Sequence, residues 1–149
     1  MTPFETLVSE LATATGLALQ VDAQDSFALV TDGLVVTVQY RRESDDVALF
    51  APLDSGDEEV SSAQMRKALE LACHGKGTRG NFLGIFDGAL VFSRFVPFEG
   101  LTSQKLGSLV IAFADAAIAV ESALSEDEAG NGAKRSESPS QTGIDFLRV

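Results

Sequence analysis

The chain has 149 residues, a formal net charge of −11 and 45% hydrophobic residues, which suffices for one hydrophobic core and hardly for a second. The negative charge argues against binding to nucleic-acid phosphates or anionic membranes, because like charges repel. The basic pairs Arg41-Arg42 and Lys134-Arg135 form no basic patch and are typical of solvated loops. A single cysteine, Cys73, cannot form an internal disulfide, so we expect a cytoplasmic protein.

The first residues carry the signals of a helix. Thr2 can cap the first turn while Glu5 returns the bond, and Pro3 fits the first helical position. With Gly16 as a left-handed stop, the sequence predicts a helix over residues 3–15. Its apolar stripe consists of Phe4, Leu7, Val8, Leu11 and Ala12. The segment lacks the basic region and long apolar core of a signal peptide.

Beyond Gly16 the hydrophobic period changes from about four to two, which is typical of half-buried strands. Asp32-Gly33 supplies a tight hairpin turn between two of these segments. The sequence therefore predicts an antiparallel meander of four strands, with the sequences LALQVDA, SFALVT, LVVTVQYRR and VALFAPL.

A second helix, a second hairpin and a third helix complete the predicted domain. Ser61 and Gln64 repeat the capping-box spacing at the start of the second helix, and Gly75 is a suitable stop. NFLGIF and ALVFSRFVPF form a hairpin that turns at Asp87-Gly88. The third helix is predicted from Thr102 or Ser103 to about Ser125.

The third helix contains the longest apolar run, LVIAFADAAIAV, which Asp115 interrupts before it reaches the roughly 18 residues of a membrane span. We therefore expect no membrane insertion. After Ser125 the sequence has no periodicity and is rich in Glu, Ser and Gly. This predicts a folded domain over residues 1–125 and a flexible tail over 126–149. The last six residues, Ile144 to Val149, regain hydrophobicity and either dock as a short strand or remain a frayed end.

No convergent set of catalytic groups is visible. His74 is the only histidine, and it directly follows Cys73, but adjacent residues on a helix do not face each other. One histidine and one cysteine cannot form a zinc site. The segment HGKGTRGNFLG follows a helix and lacks the ending of a phosphate-binding loop. We expect no enzymatic activity, cofactor, metal or small-molecule substrate, and a small hydrolase is the least favoured alternative.

The strands carry more apolar surface than one subunit can bury. Large apolar residues follow one another on opposite faces at Val35-Val36, Leu49-Phe50 and Val91-Phe92. Three helices can cover one face of a small antiparallel sheet and leave the other exposed. A large uncovered apolar patch is typical of a protein-binding surface.

Two stretches of this sequence resemble the class I type III secretion chaperones, the Tir-chaperone family. They are LVVTVQYRRESDDVALFAPL and FDGALVFSRFVPFEGLTSQKLGSLVIAFADAA, and the likeness covers about residues 2–125. The resemblance implies an α+β protein of the bacterial cytoplasm, a homodimer without enzymatic activity. The implied order of helices and strands along the chain is α-β-β-β-β-α-β-β-α, with the helices packed on a twisted antiparallel sheet. Such a chaperone binds the N-terminal segment of a secreted effector in extended form and keeps it competent for export.

The resemblance also implies two sets of contact residues. Effector contacts are expected from the exposed members of Leu7, Leu11, Phe27, Leu29, Val35, Val38 and Phe50. Dimer contacts are expected from Met65, Leu69, Phe82, Ile85, Phe92 and Phe95. The alternative is a non-catalytic regulatory module of the same fold that recognises a folded cytosolic partner.

Overall fold

A computed structural model describes residues 1–53 and 60–133, with side chains as far as Ser125. Over these residues the chain forms three helices and five strands. In chain order the elements are α1 (Pro3–Thr15), β1 (Ser26–Thr31), β2 (Leu34–Arg41), β3 (Asp46–Pro52), α2 (Ser62–Ala72), β4 (Phe82–Phe86), β5 (Ala89–Pro97) and α3 (Ser103–Ala133). A short 3-10 turn, Cys73–Gly75, follows α2.

The strands form one antiparallel sheet in the order β1-β2-β3-β5-β4, which confirms the predicted α+β class. Both predicted hairpin turns are present. Asp32 and Gly33 have φ values of 50° and 81°, and Asp87 and Gly88 have values of 51° and 78°. Two successive positive φ angles match the right-handed twist of the flanking strands, which explains the Asp-Gly sequence at both turns.

The predicted strand LALQVDA is not a strand in this structure, so the meander has three strands and the element order is α-β-β-β-α-β-β-α. The Asp22 carboxylate accepts hydrogen bonds from the Gln24 and Ser26 amides at 2.9 and 3.0 Å, which turns the chain locally before β1. Leu19 and Val21 are half-buried against the core. The alternation of apolar and polar residues in this segment therefore reflects the burial of one side of the chain, and no strand pairing accompanies it.

The capping boxes predicted for the first two helices are confirmed, whereas α2 ends at Ala72 and the predicted stop, Gly75, ends the 3-10 turn that follows it. The Thr2 hydroxyl accepts from the Glu5 amide at 3.1 Å, while the Thr2 amide donates to the Glu5 carboxylate at 2.6 Å. Ser61 and Gln64 repeat this reciprocal arrangement at α2. Gly16 ends α1 with a φ of 72°, where a side chain would be strained.

The hydrophobic core lies between one face of the sheet and the helices. Phe4 of α1 stacks on Tyr40 of β2 with ring centroids 5.7 Å apart, and Phe92 of β5 packs against Phe113 of α3. Cross-strand pairing places Phe27 and Leu49 on either side of Val38, all three fully or nearly fully buried. The side chains that alternate with these point to the opposite face of the sheet.

Helix α3 continues to Ala133, beyond the end predicted near Ser125. By length and composition its segment Ser103–Ser125 could cross a membrane, with a mean hydropathy of 1.6. The apolar side chains of one α3 face, including Leu106 and Phe113, lie in the core, and 39% of this apolar segment is buried. The predicted docking or fraying of Ile144 to Val149 lies outside the described residues, as does most of the predicted tail.

Candidate functional site

The large exposed hydrophobic side chains concentrate on two surfaces. The first, here called the open face, is the sheet face opposite α1 and α3. By strand alternation it carries Val30, Val35, Phe50, Phe82, Phe86 and Phe95. The second, the α2–β4 edge, carries Met65, Leu69 and Ile85.

On the open face, an aromatic pair is held beside a fixed positive charge. The rings of Phe82 and Phe95 lie with centroids 5.9 Å apart, and the Arg41 guanidinium is 4.4 Å from the Phe95 centroid. Arg41 Nε donates to the Asp46 carboxylate at 2.7 Å. This hydrogen-bonded ion pair raises the pKa of Arg41 and lowers the pKa of Asp46. The ion pair fixes the guanidinium over the Phe95 ring, so the aromatic pair and the charge form one rigid patch on the open face.

The α2–β4 edge combines an unpaired strand edge with exposed apolar residues. Strand β4 pairs only with β5 in the described sheet. Leu69 of α2 is 73% exposed and Ile85 of β4 is 52% exposed. An unpaired hydrophobic edge strand is a template for pairing with another chain. This surface therefore fits a second polypeptide laid along the edge.

The structure separates the predicted effector-contact residues by burial. Val35 is exposed, and Leu29 and Phe50 are half-buried. The other four lie in the core with at most 6% exposure, namely Leu7, Leu11, Phe27 and Val38. Leu7 and Leu11 belong to the buried face of α1, and Phe27 and Val38 lie on the sheet face that the helices cover. A bound segment could reach them only after displacement of α1.

The predicted dimer-contact residues divide in the same way. Leu69, Phe82, Ile85 and Phe95 are exposed and Met65 is half-buried. Phe92 is fully buried against Phe113, so it is a core residue and not a surface contact.

Sequence reasoning missed three of the most exposed hydrophobic residues, Val30, Phe86 and Ile111, which are 70%, 77% and 65% exposed. Phe86 lies four positions after Phe82 on one strand. Strand alternation alone therefore indicates that the two share a face.

The residues with chemical reactivity do not assemble into a site. Cys73 is half-buried and His74 is exposed on the turn after α2, where its φ is 57°. Across the residues described, no group of three histidine, cysteine or acidic side chains lies close enough to hold a metal ion.

Comparisons with known proteins agree with this fold. The model of the Tir chaperone protein (CesT) family matches residues 6–121. No curated protein matches the sequence.

Three solved structures illustrate the similarity. The ExsC–ExsE complex aligns with a TM-score of 0.66 and 19% identity over 78% of this chain and 92% of that chain. The HopA1–SchA chaperone–effector complex aligns with a TM-score of 0.64 and 15% identity over 80% and 93%. YbjN, a proposed transcription regulator from E. coli, aligns with a TM-score of 0.57 and 15% identity over 85% and 94%. At these identities the likeness shows a shared fold.

Proposed function

This chain belongs to the Tir chaperone protein (CesT) family, and from that premise we propose that it is a type III secretion chaperone. Its ligand is the N-terminal chaperone-binding segment of a secreted effector, held in extended form and kept competent for export. The observation that carries this proposal is the uncovered apolar surface of the sheet in a chain matched by the family over residues 6–121. The proposed role is binding without catalysis, in the cytoplasm of a bacterium.

An extended client segment can use both the backbone and the side chains of this surface. Strand β1 is the other sheet edge. The outward amide and carbonyl of Ser26 are bonded to Asp22. Strand addition would therefore use the outward groups of Ala28 and Val30. Val30 and Val35 form a cross-strand pair next to that edge, and both are exposed. Apolar client side chains that cover this pair are removed from water, and each Å² of buried apolar area contributes about 25 cal/mol of favourable free energy.

The α2–β4 edge is proposed as the dimer interface. It lies across the sheet from β1, so self-association and client addition use different strand edges. Leu69 and Ile85 would form its apolar centre, and Phe82 would contact the partner from the adjoining open face. Stable interfaces concentrate such apolar residues in their buried core. A standard interface buries about 800 Å² on each partner.

A regulatory module is the second candidate function, favoured by the shared fold with YbjN over 85% of this chain. Such a module would recognise a folded cytosolic partner through the same open face. It differs from a chaperone in the state of its ligand, because a chaperone retains an isolated segment that has no fold of its own.

The test is co-expression of the tagged full chain with isolated N-terminal segments of candidate secreted proteins, followed by purification and mass spectrometry. A chaperone should retain a segment that stays soluble only in the complex and remains extended. If the chain co-purifies with folded proteins and with none of the isolated segments, the result would favour the regulatory module.

A further inference from the structure

A cavity of about 260 Å³ lies between the start of the β4–β5 hairpin and helix α3. Arg79, Asn81 and Arg94 line it from the hairpin side. Leu109, Ala112 and Asp115 line it from α3. It belongs neither to the open face nor to the α2–β4 edge, and none of the functions considered above uses it.

Two of the residues that line this cavity each carry a buried polar atom without a protein partner. Phe82 pairs with Ser93, so Asn81 and Arg94 are the next opposed positions and project from the same face of the hairpin. Asn81 is 6% exposed, and its Nδ2 donates to the Thr78 carbonyl at 2.8 Å. Its Oδ1 and the Nε of Arg94 are both buried without a hydrogen-bond partner among the described residues. Buried polar atoms are ordinarily paired, so this arrangement favours a bound group.

The charge of the cavity is opposite to that of the whole chain. Arg79 and Arg94 bring two guanidinium groups to it, and neither forms an ion pair within the described structure. Asp115 lines the same space without pairing to either of them. Two guanidinium groups against one carboxylate give the lining a net positive charge, and this suits a carboxylate from another molecule, because a guanidinium binds this group through two donors.

A shallow apolar groove adjoins the cavity. It runs along α3 beside Leu101, Lys105 and Ser108 with a volume of about 590 Å³, and it shares Leu109 and Ala112 with the cavity. A ligand that fits both spaces carries an apolar group next to a carboxylate.

We propose that this cavity binds an acidic residue of an extended polypeptide. The side-chain carboxylate accepts hydrogen bonds from Arg94 Nε and from Arg79. The peptide N–H of the ligand donates to Asn81 Oδ1, and a neighbouring apolar side chain lies in the groove on Leu109. The inference rests on the proposed function in taking an extended segment as the ligand. It adds a polar anchor that gives the chaperone a preference among client segments.

The test is an NMR titration of the ¹⁵N-labelled full chain with the tripeptide acetyl-Leu-Glu-Leu-amide. We expect shifts of the Arg94 Nε–H signal and of the Asn81 backbone amide. The matched probe acetyl-Leu-Gln-Leu-amide should bind at least about tenfold more weakly, which corresponds to about 1.4 kcal/mol. Sodium acetate is the third probe and distinguishes a free carboxylate from a peptide-borne one.

Variants separate the site from general effects on the chain. Arg94→Lys keeps the charge and removes the Nε donor, so it should weaken tripeptide binding about tenfold. Arg79→Gln, at an exposed rim position, serves as a second variant in case the first does not fold, and it should also weaken binding. Arg66→Lys changes an exposed arginine of α2 outside the cavity and should leave binding unchanged.

The proposal is overturned by equal binding of the glutamine tripeptide, by equal binding of acetate, or by the absence of any shift at Arg94 and Asn81. The tripeptide requires no effector, so the outcome is independent of client capture. Capture of a client segment without tripeptide binding would remove only the cavity proposal. Tripeptide binding without client capture would count against the chaperone function alone.

Discussion

The ring centroid of Phe92 lies 5.2 Å from that of Phe113, and both side chains are at most 1% exposed. This contact joins strand β5 to helix α3 through the centre of the core. Phe95, three residues further along the same strand, points to the open face and is 44% exposed. Neighbouring phenylalanines of one strand therefore have different roles, and substitutions should distinguish them.

Replacement of Phe92 by Ala should lower the free energy of unfolding by about 3–5 kcal/mol, because it removes buried contacts and leaves a cavity. Val30→Ala is the control at a 70% exposed position and should change this quantity by about 0.5 kcal/mol or less. Urea unfolding followed by circular dichroism measures both values. Similar losses for the two variants would contradict the assigned core.

Leu69→Glu should convert the proposed dimer into a folded monomer. Leu69 is 73% exposed in one subunit, so a carboxylate there is solvated in the monomer and desolvated only in the interface. Light scattering after size exclusion should give about 31 kDa for the original chain, twice 15.7 kDa, and 15.7 kDa for the variant. Ile111→Glu, at an exposed position of α3, should leave the dimer intact. An original chain that is monomeric at micromolar concentration would refute the proposed interface.

Val35→Asp should weaken retention of a captured effector segment at least about tenfold, or about 1.4 kcal/mol, because it puts a charge on the apolar pair beside the β1 edge. Leu17→Asp tests an exposed apolar residue outside the sheet and should leave retention unchanged. Competition binding with a labelled segment measures the effect, with thermal unfolding as a check on folding. Unchanged retention in Val35→Asp would argue that the client does not use the open face.

Tyr40 gives a direct measure of local electrostatics, because it is the only tyrosine. Its hydroxyl donates to the Asp45 carboxylate at 2.8 Å, and this bond raises the pKa of Tyr40 above the ordinary 10.0. The stability from the raised pKa is fully present below pH 10.0 and is lost as the pH rises through the folded-state value.

Tyrosinate absorbance across an alkaline titration measures this pKa. The Asp45→Ala variant should titrate closer to 10.0 than the original chain, because the hydrogen bond and the nearby negative charge are both removed. Identical titration curves for the two proteins would show that the Tyr40–Asp45 hydrogen bond is not formed in solution.

Features that depend on a few neighbouring residues were predicted well from the sequence. The caps at Thr2 and Ser61 and the turns at Asp32-Gly33 and Asp87-Gly88 are confirmed, since each is specified by residues at most three positions apart. The strand predicted at LALQVDA is absent from the structure for the converse reason. Alternation records which side chains are buried, whereas a strand also needs a partner backbone supplied from elsewhere in the chain.

The sequence by itself determined that this chain has apolar residues on both faces of its strands. Only the tertiary structure decided which face remains uncovered. Leu7, Leu11, Phe27 and Val38 lie in the core, while Val35 and Phe95 are exposed, because α1 and α3 pack on one face of the sheet and leave the other free. Strand periodicity divides residues into two faces, but the choice between them depends on helices far away in the sequence.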